Sequence, residues 1–542
     1  MTEIFTKTKI MKRFFWFLIL FLLAFSSLGC FPEKRVSRVE PLNLEHPIAS
    51  LTAAALTENP WTATPETPEW RPSSTPEPTS DQPASKPVHP QFSLSAVPTL
   101  RTMPTAHVVA DGETITIIAS AYQISKNALI EENQLKDPDL ISVGQNLSIP
   151  AQIPDFQDAG VQLLPDERLL YGPASTNFEV TAWVADYSGG YLANYLEPTP
   201  TPVPGAGKVS TAPFSPRSGV EILRQVSIQN SIDPRVLIAL MEFQTKSVSA
   251  GKPNGNQKNS AIVHKGTYYE PLARQLAWAA DTLNYGFYYW KMNRINQWIL
   301  ADDTVVSVAP DINPGTAALQ YLFSQIFGKD DWMYAVSKNG FLFTYQQLFG
   351  ETGSVFPYQN NPESVPPLEL PFAPGEIWSY TGGPHVGWAS GTPWGAVDFA
   401  PPDAVGCSLS NYWVTAAAPG SVVYSQDGLV IQDLDGDDDL RTGWTLIYLH
   451  MEIRDRIEAG SEVKTGDRLG HPSCEGGIAN GSHVHLARRY NGEWIPIDQA
   501  FPMILSGWEV YSTGTQYDGY LEKNGKLVEA WYYKTEESEI SR

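Results

Sequence analysis

The stretch "GSHVHLARRY", residues 481–490, places His483 and His485 one residue apart near the end of a chain of 542 residues. Side chains alternate along a β-strand, so a strand here would put both histidines on one face and Val484 on the other. Two histidines on a strand are weak evidence for a metal site, because exposed strand histidines are common. Their chemical role therefore depends on partners elsewhere in the chain.

Two other stretches supply such partners. "GGPHVGWASGTPWGAVDFAPP", residues 382–402, contains His385 and Asp398, and "TLIYLHME", residues 445–452, contains His450 at the end of an apolar run. Histidine and aspartate side chains are the ligand types that zinc binds in proteins. The sequence thus contains the residue types of a metal centre.

The same region predicts an antiparallel β domain over residues 375–542. Short β-type runs such as "GAVDFA", "GSVVYSQ" and "GWTLIYLHME" are separated by Gly, Pro and Asp turns at regular spacing. About residues 378–500 resemble the lysostaphin-type zinc endopeptidases that cut bacterial peptidoglycan. The shared elements are a His then an Asp, a central His at a strand end, and a His-x-His, in that order.

The spacing of the first pair distinguishes two branches of that family. In the commoner branch a His lies four residues before the Asp, where this chain has Trp394. The longer distance from His385 to Asp398, through a loop rich in Gly, Ser and Trp, is similar to the beta-lytic branch. The resemblance implies that zinc is bound by His385, Asp398 and His485, and that the acid and base groups are His450 and His483.

Residues 106–151 predict a separate small module. The segment "HVVADGETITIIASAYQISKNALIEENQLKDPDLISVGQNLSIP" has strand-like ends and two internal stretches of helical periodicity, which predicts the order βααβ. It resembles the LysM peptidoglycan-binding module over its whole length. The resemblance implies an N-acetylglucosamine groove between two loops, formed by Gly112, Glu113, Thr114, Pro138, Asp139, Leu140 and Ile141.

Residues 165–355 carry apolar residues at helical spacing and predict a largely α-helical middle domain. The phrase "IDPRVLIALMEFQTKS" resembles the catalytic helix of lysozyme-like transglycosylases. This chain has Gln244 where that family has its catalytic Glu, and Gln cannot protonate a glycosidic oxygen. We therefore expect a non-catalytic domain, with Glu242 a poor candidate for a general acid.

The first 30 residues predict export. "FFWFLILFLLAFSSLGC" is an apolar run that follows Lys and Arg residues and ends in small residues before Cys30, as in a bacterial lipobox. The alternative is an ordinary uncleaved membrane anchor. Residues 31–105, rich in Pro, Thr and Ser, predict an extended tether, and the Pro-rich residues 356–374 predict a second linker.

The cysteine content and the net charge indicate a disulfide and limit the classes of binding partner. If Cys30 carries lipid, Cys407 and Cys474 remain as an even pair in an oxidising compartment, which predicts a disulfide. The formal net charge of -22 argues against nucleic acid as a partner. "QDLDGDDDLRTGW" is typical of a calcium loop in its alternating Asp residues, but it lacks the closing acidic residue and is interpreted as a solvated hairpin tip.

Together these features predict an extracytoplasmic, lipid-anchored cell-wall hydrolase whose zinc domain cleaves the peptides of peptidoglycan. The main alternative is a non-enzymatic cell-wall-binding regulator that activates a separate amidase. A third interpretation, in which the helical domain is an active glycosidase, is disfavoured by Gln244.

Overall fold

The computed structural model describes residues 103–122, 124–151, 160–197, 216–254, 260–264, 271–353, 362, 364, 366–498 and 500–542. Cys30, the predicted signal segment and the tether as far as residue 102 lie outside the described residues. Within the described ranges, no helix combines the length and the apolar character that crossing a membrane requires.

The first described unit has the predicted βααβ order. It consists of β1 (Thr105–Val108), α1 (Ile115–Ala121), α2 (Lys126–Glu132) and β2 (Asn146–Ile149), with β1 and β2 antiparallel. Helix α2 begins after Ser125, whose hydroxyl accepts a hydrogen bond from the Ala128 amide at 2.9 Å and so satisfies one free N–H of the first turn. Thr105, predicted as the end of the tether, already belongs to β1.

The middle region is mostly helical, as predicted. Its helices are α3 (Asp166–Leu169), α4 (Val180–Ala185), α5 (Tyr191–Asn194), α6 (Gly219–Asn230), α7 (Pro234–Thr245), α8 (Leu272–Lys291), α9 (Pro314–Ser324), α10 (Lys329–Ala335) and α11 (Phe341–Phe349). Four short strands form two pairs, β3 (Leu196–Glu197) with β4 (Arg217–Ser218) and β5 (Gln297–Ile299) with β6 (Val305–Ser307). Helix α6 begins with a capping box between Ser218 and Glu221, and the long α8 is central to the buried core.

The C-terminal region is built on an antiparallel sheet. Its strands are β7 (Ile377–Val386), β8 (Trp394–Ala400), β9 (Val414–Thr415), β10 (Gly420–Gln426), β11 (Leu429–Asp433), β12 (Trp444–Leu449), β13 (Ser461–Val463), β14 (Arg468–Gly470), β15 (Val484–Tyr490) and β16 (Glu493–Trp494), followed by β17 (Ile504–Leu505), β18 (Trp508–Ser512), β19 (Gly519–Lys523), β20 (Lys526–Glu529) and β21 (Glu539–Ser541). The main sheet has the order β13-β10-β11-β12-β15-β8-β7-β21, and β17 to β20 form a second sheet. The predicted antiparallel β domain is confirmed.

The two faces of the main sheet pack against different partners. Val484 and Leu486 of β15 are buried in the core of the β domain itself, whereas Ala487 is buried in a core shared with the helices. His485 alternates with Val484 and Leu486, so it lies on the same face as Ala487. The helices therefore cover part of the face that carries His485.

One predicted boundary is wrong. Leu368, Leu370 and Phe372, assigned to the Pro-rich linker over 356–374, are buried in the core of the β domain. The Glu369 amide donates to the Ala417 carbonyl at 2.8 Å, which attaches this segment to the domain. Apolar side chains at every second position are typical of an extended segment with one buried face. Here the burial of these side chains attaches the segment to the domain, although the flanking residues have the composition of a linker.

The predicted disulfide is confirmed. Cys407 and Cys474 are joined, with an S–S distance of 2.08 Å and Cα atoms 5.6 Å apart. The bridge connects the loop after β8 to the loop between β14 and β15. Both loops lead toward His483, and Ser482 is further fixed because its amide donates to the Gly406 carbonyl at 2.8 Å.

Candidate metal centre

Three adjacent strands position the predicted ligands. His485 of β15 lies directly opposite Asp398 of β8, and His385 of β7 pairs with Ala396, one pleat further along β8. The pairing of β7 with β8 shifts register on both sides of His385, and such irregularities re-aim a side chain. A Cβ at Gly382 would lie 2.5 Å from Asp398 Oδ2, so only glycine leaves room for that carboxylate.

The three side chains converge on one point. His385 Nε2 lies 2.9 Å from His485 Nδ1, and Asp398 Oδ1 lies 3.3 Å from the former and 3.2 Å from the latter. Ligand atoms about 2.0 to 2.1 Å from a tetrahedral zinc ion are about 3.3 Å apart. The spacing of these atoms therefore fits a zinc ion bound by three residues.

Backbone carbonyls fix which nitrogen of each ring is available. His385 Nδ1 lies 2.8 Å from the Gly383 carbonyl, and His485 Nε2 lies 3.0 Å from the Gly387 carbonyl. A carbonyl can only accept a hydrogen bond, so each of these nitrogens carries a proton. The other nitrogen of each ring, His385 Nε2 and His485 Nδ1, lies toward Asp398 and is the one available as a metal ligand.

The environment of the Asp398 carboxylate also fits a metal ligand. Asp398 Oδ1 is buried and has no hydrogen-bond partner among the described residues. Burial acts to raise the pKa of Asp398, but His385 and His483 lower it, and the net pKa lies well below the usual range. The buried carboxylate is therefore ionised, and an anionic oxygen beside two imidazole nitrogens is a donor set that suits Zn²⁺.

His450 and His483 lie beside this centre. Their ring centroids are 4.4 Å apart, and His483 Nε2 lies 3.8 Å from Asp398 Oδ1. His450 Nδ1 donates to the Glu475 carbonyl at 2.9 Å and His483 Nδ1 to the Gly481 carbonyl at 2.8 Å. Burial, with a smaller contribution from His483, holds the pKa of His450 well below its usual range, so its Nε2 is unprotonated.

Tyr517 contacts the centre but was not predicted from the sequence. Its ring stacks on His385 with centroids 4.2 Å apart, and its carbonyl accepts a hydrogen bond from the Gly383 amide at 2.9 Å. It lies 132 residues after His385 in the loop before β19, and no motif connects the two. His471, by contrast, packs against Trp413, and its Nδ1 donates to the Tyr412 carbonyl at 2.7 Å.

The side chains of Glu242 and Gln244 both accept hydrogen bonds within the helical domain. The Glu242 carboxylate accepts hydrogen bonds from the Val248 and Ser249 amides at 3.2 and 3.0 Å and from the Ser249 hydroxyl at 2.7 Å. Gln244 Oε1 accepts from the Val263 amide at 2.6 Å. The Glu242 contacts hold the turn after α7, and the Gln244 contact attaches α7 to the segment around Val263.

The predicted glycan-binding residues lie in two loops of the LysM-like unit. Leu140 is 75% exposed, while the Glu113 carboxylate is engaged by the Ala110 amide at 2.6 Å and by His107 at 2.8 Å. Glu113 therefore stabilises its own loop, and the exposed residues of the predicted groove are Gly112 and Thr114 on one side and Asp139 and Leu140 on the other.

The acidic loop forms the hairpin between β11 and β12. The carboxylates of Asp433, Asp435 and Asp437 lie within 4.8 Å of one another. Asp433 is buried and accepts hydrogen bonds from the Gly436 and Asp438 amides at 3.0 and 3.1 Å. These bonds are those of a tight turn between the two strands.

Comparison with known proteins gives two family matches. Residues 107–150 match the LysM domain, and residues 162–362 match the N-terminal domain of LasA. The chain therefore contains a LysM domain and is LasA-like. The helical region thus has a different relative from the lysozyme-like transglycosylases that "IDPRVLIALMEFQTKS" resembles.

Two curated relatives are strain forms of protease LasA from Pseudomonas aeruginosa. The form from strain UCBPP-PA14 is 23% identical over 358 residues, which cover 62% of this chain and 76% of that protein. The form from strain PAO1 is 24% identical over 305 residues, which cover 52% of this chain and 69% of that protein.

Solved structures with local similarity include the deep-sea M23 metalloprotease pseudoalterin and the lysostaphin catalytic domain from Staphylococcus simulans. Pseudoalterin is 25% identical, covers 33% of this chain and 100% of its own, and has a TM-score of 0.27. The lysostaphin domain is 21% identical, covers 22% of this chain and 87% of its own, and has a TM-score of 0.17.

Proposed function

We propose that this protein is an exported zinc metalloendopeptidase that cleaves peptide bonds of peptidoglycan. The observation that carries the proposal is the convergence of His385, Asp398 and His485, with both ring tautomers set by carbonyls and a carboxylate oxygen that lacks a donor. The relatives named protease LasA support a peptidase, and the LysM domain supports peptidoglycan as its substrate.

The five residues of the candidate centre have two different roles in the proposed reaction. His385, Asp398 and His485 would hold the zinc ion, and His450 and His483 lie beside these ligands. Bound zinc supplies Lewis acidity, which polarises the peptide carbonyl and lowers the pKa of a neighbouring water. One of His450 and His483 would accept the water proton at Nε2 and later deliver it to the leaving amine, and the other would donate a hydrogen bond from Nε2 to the developing oxyanion.

The LysM domain binds the glycan part of the same polymer. Attachment of one chain to a polymeric substrate raises the effective concentration of cleavable peptides at the zinc centre. We expect its contacts to come from the loop containing Pro138, Asp139, Leu140 and Ile141 together with the turn at Gly112, Glu113 and Thr114. Competition by N-acetylglucosamine oligomers for binding to purified peptidoglycan tests this assignment, and binding that is insensitive to them would contradict it.

The proposed location is outside the cytoplasm, with Cys30 lipidated at the membrane. The motivation is the apolar run that ends in small residues before Cys30. Replacing Cys30→Ser should release the protein from the membrane fraction or change its processing. Unchanged membrane association and processing would favour the uncleaved anchor instead.

The test of the proposed function combines metal analysis with hydrolysis. Purified wild-type protein should contain about one zinc ion per chain and release peptides from peptidoglycan, and His485→Ala should lose both properties because three ligands are the usual minimum. His471→Ala is the matched control, since His471 is a buried histidine outside the centre. A wild-type protein that releases no peptide but stimulates a separate amidase would replace this proposal with the regulator.

A further inference from the structure

The loop over residues 387–393 connects two of the metal-centre strands. It joins His385 on β7 to Asp398 on β8, and its first carbonyl, that of Gly387, accepts the His485 Nε2 proton at 3.0 Å. The position of this loop therefore determines which His485 nitrogen is available to a metal ion.

The loop is compact within itself. The Gly387 amide donates to the Pro393 carbonyl at 3.0 Å, and the Trp388 amide donates to the Thr392 hydroxyl at 3.0 Å. Because these bonds close the loop on itself, a displacement at its tip is transmitted to Gly387.

The tip of the loop is held by the helical domain. Asp281 of α8 is 2% exposed, and its two carboxylate oxygens accept hydrogen bonds from the Gly391 amide at 2.7 Å and the Ser390 hydroxyl at 2.8 Å. The approach is close, since a Cβ at Gly391 would lie 2.1 Å from the Asp281 carbonyl oxygen. Charge-assisted bonds of this kind are roughly twice as strong as neutral ones.

The same helix supports the other end of the loop. A Cβ at Gly387 would lie 2.7 Å from the Trp494 ring, so the glycine rests directly on the indole. The Trp494 amide donates to the hydroxyl of Tyr288, two turns after Asp281 on α8, at 2.8 Å. Helix α8 therefore contacts the loop at its tip and, through Trp494, at its base.

We propose that Asp281 is a positioning residue of the metal centre. It contacts neither the metal nor the substrate, but it holds the loop whose Gly387 carbonyl orients His485. The helical domain thus forms part of the functional centre instead of acting only as a scaffold. This inference rests on the proposed function, because it assigns a role toward the zinc ion that His485 binds.

The test is zinc affinity, measured on the full chain by competition with a chromogenic chelator. Asp281→Ala removes both hydrogen bonds and should weaken zinc binding about 10- to 100-fold, the usual effect of losing a partner that orients a ligand. Asp281→Asn should retain most of the affinity, because its amide can accept from Gly391 and donate to the Ser390 hydroxyl. Gln225→Ala is the control, since it removes another hydrogen bond between the helices and the β domain, to Asp427 at 2.7 Å, away from the loop.

The possible outcomes separate the two proposals. A wild-type chain that binds no zinc contradicts the proposed function itself. A wild-type chain that binds zinc, together with an Asp281→Ala variant of unchanged affinity, overturns only the role of Asp281. If Asp281→Ala does not fold, Ser390→Ala decides the question: about a 10-fold loss of affinity supports the inference, and no loss overturns it.

Discussion

Replacing His450 by Asn should preserve zinc binding while lowering the hydrolysis rate. His450 has φ +66°, in the left-handed region, where most residues other than Gly, Asn and Asp pay about 1 to 2 kcal/mol. Asn tolerates this conformation, so the variant tests chemistry with little change to the fold. It cannot accept and return a proton near neutral pH, and the expected cost is about 10² to 10⁴ in kcat, or about 3 to 5 kcal/mol in the barrier.

The neighbouring His483 gives this prediction a second part. Its ring lies 4.4 Å from that of His450 and next to Asp398, so the proposed mechanism assigns both imidazoles to the same side of the candidate centre. Groups that handle one proton in sequence act as a unit, and their losses do not multiply. The double variant His450→Asn with His483→Ala should therefore cost about as much as the more damaging single variant.

The assay measures free amino groups released from purified peptidoglycan, alongside the zinc content of each variant by mass spectrometry. His471→Ala again serves as the matched control: it also removes a buried imidazole, but its zinc content and its rate per folded chain should equal those of the wild type. The reasoning is refuted if His450→Asn keeps the wild-type rate, or if the rate falls only in proportion to lost zinc. Multiplicative losses in the double variant would show that the two rings act independently.

Three further predictions concern stability. Cys474→Ser removes a disulfide that closes a loop with a sequence separation of 67. The loss of this constraint on the unfolded chain should lower the free energy of unfolding by about 4 kcal/mol. Denaturant titration measures this loss, and an unchanged midpoint would contradict the prediction. Burial, followed by Asp433 and Asp437, raises the pKa of Asp435 to about 6 from 3.8, so its ionisation destabilises the fold as the pH rises between these values. Asp435→Asn should therefore raise Tm at pH 7 but not below the lower pKa, and equal shifts at both pH values would refute this. Arg489→Met removes two bonds, each 2.7 Å, to carbonyls at the end of α6 and should cost about 3 kcal/mol or more, whereas a Tm equal to wild type would show that these bonds contribute nothing.

The parts of the fold that the sequence predicted are those encoded by local periodicity. The alternation in "GSHVHLARRY" predicted a strand with His483 and His485 on one face. Strand β15 confirms this strand from Val484 onward, and His483 lies just before it, in an isolated bridge with Ser473. The βααβ unit likewise follows from two helical stretches between two strand-like ends. The segment containing Leu368 was misassigned because its Pro-rich flanks predicted a linker, although its alternating apolar residues carry the correct signal.

The parts that the sequence did not predict depend on contacts between distant segments. Asp281 lies 110 residues before Gly391, and Tyr517 lies 132 residues after His385. Neither residue is part of a short motif within one strand or helix. A His-x-His is such a motif, because its spacing places both rings on one face of a strand. Such residues acquire their role only when tertiary packing brings a helix or a loop against the metal-centre strands.

The packing of β15 against the helices also determines which part of the chain an activity assay must contain. His485, Ala487 and Arg489 follow one another on one face of β15. The first faces the metal centre, the second is buried in the core shared with the helices, and the third bonds to α6. Excising the β domain would expose this apolar face to water and leave the buried guanidinium without its two carbonyl partners. An isolated β domain that lacks activity would therefore not count against the proposed chemistry, and the zinc centre has to be assayed with the helical domain attached.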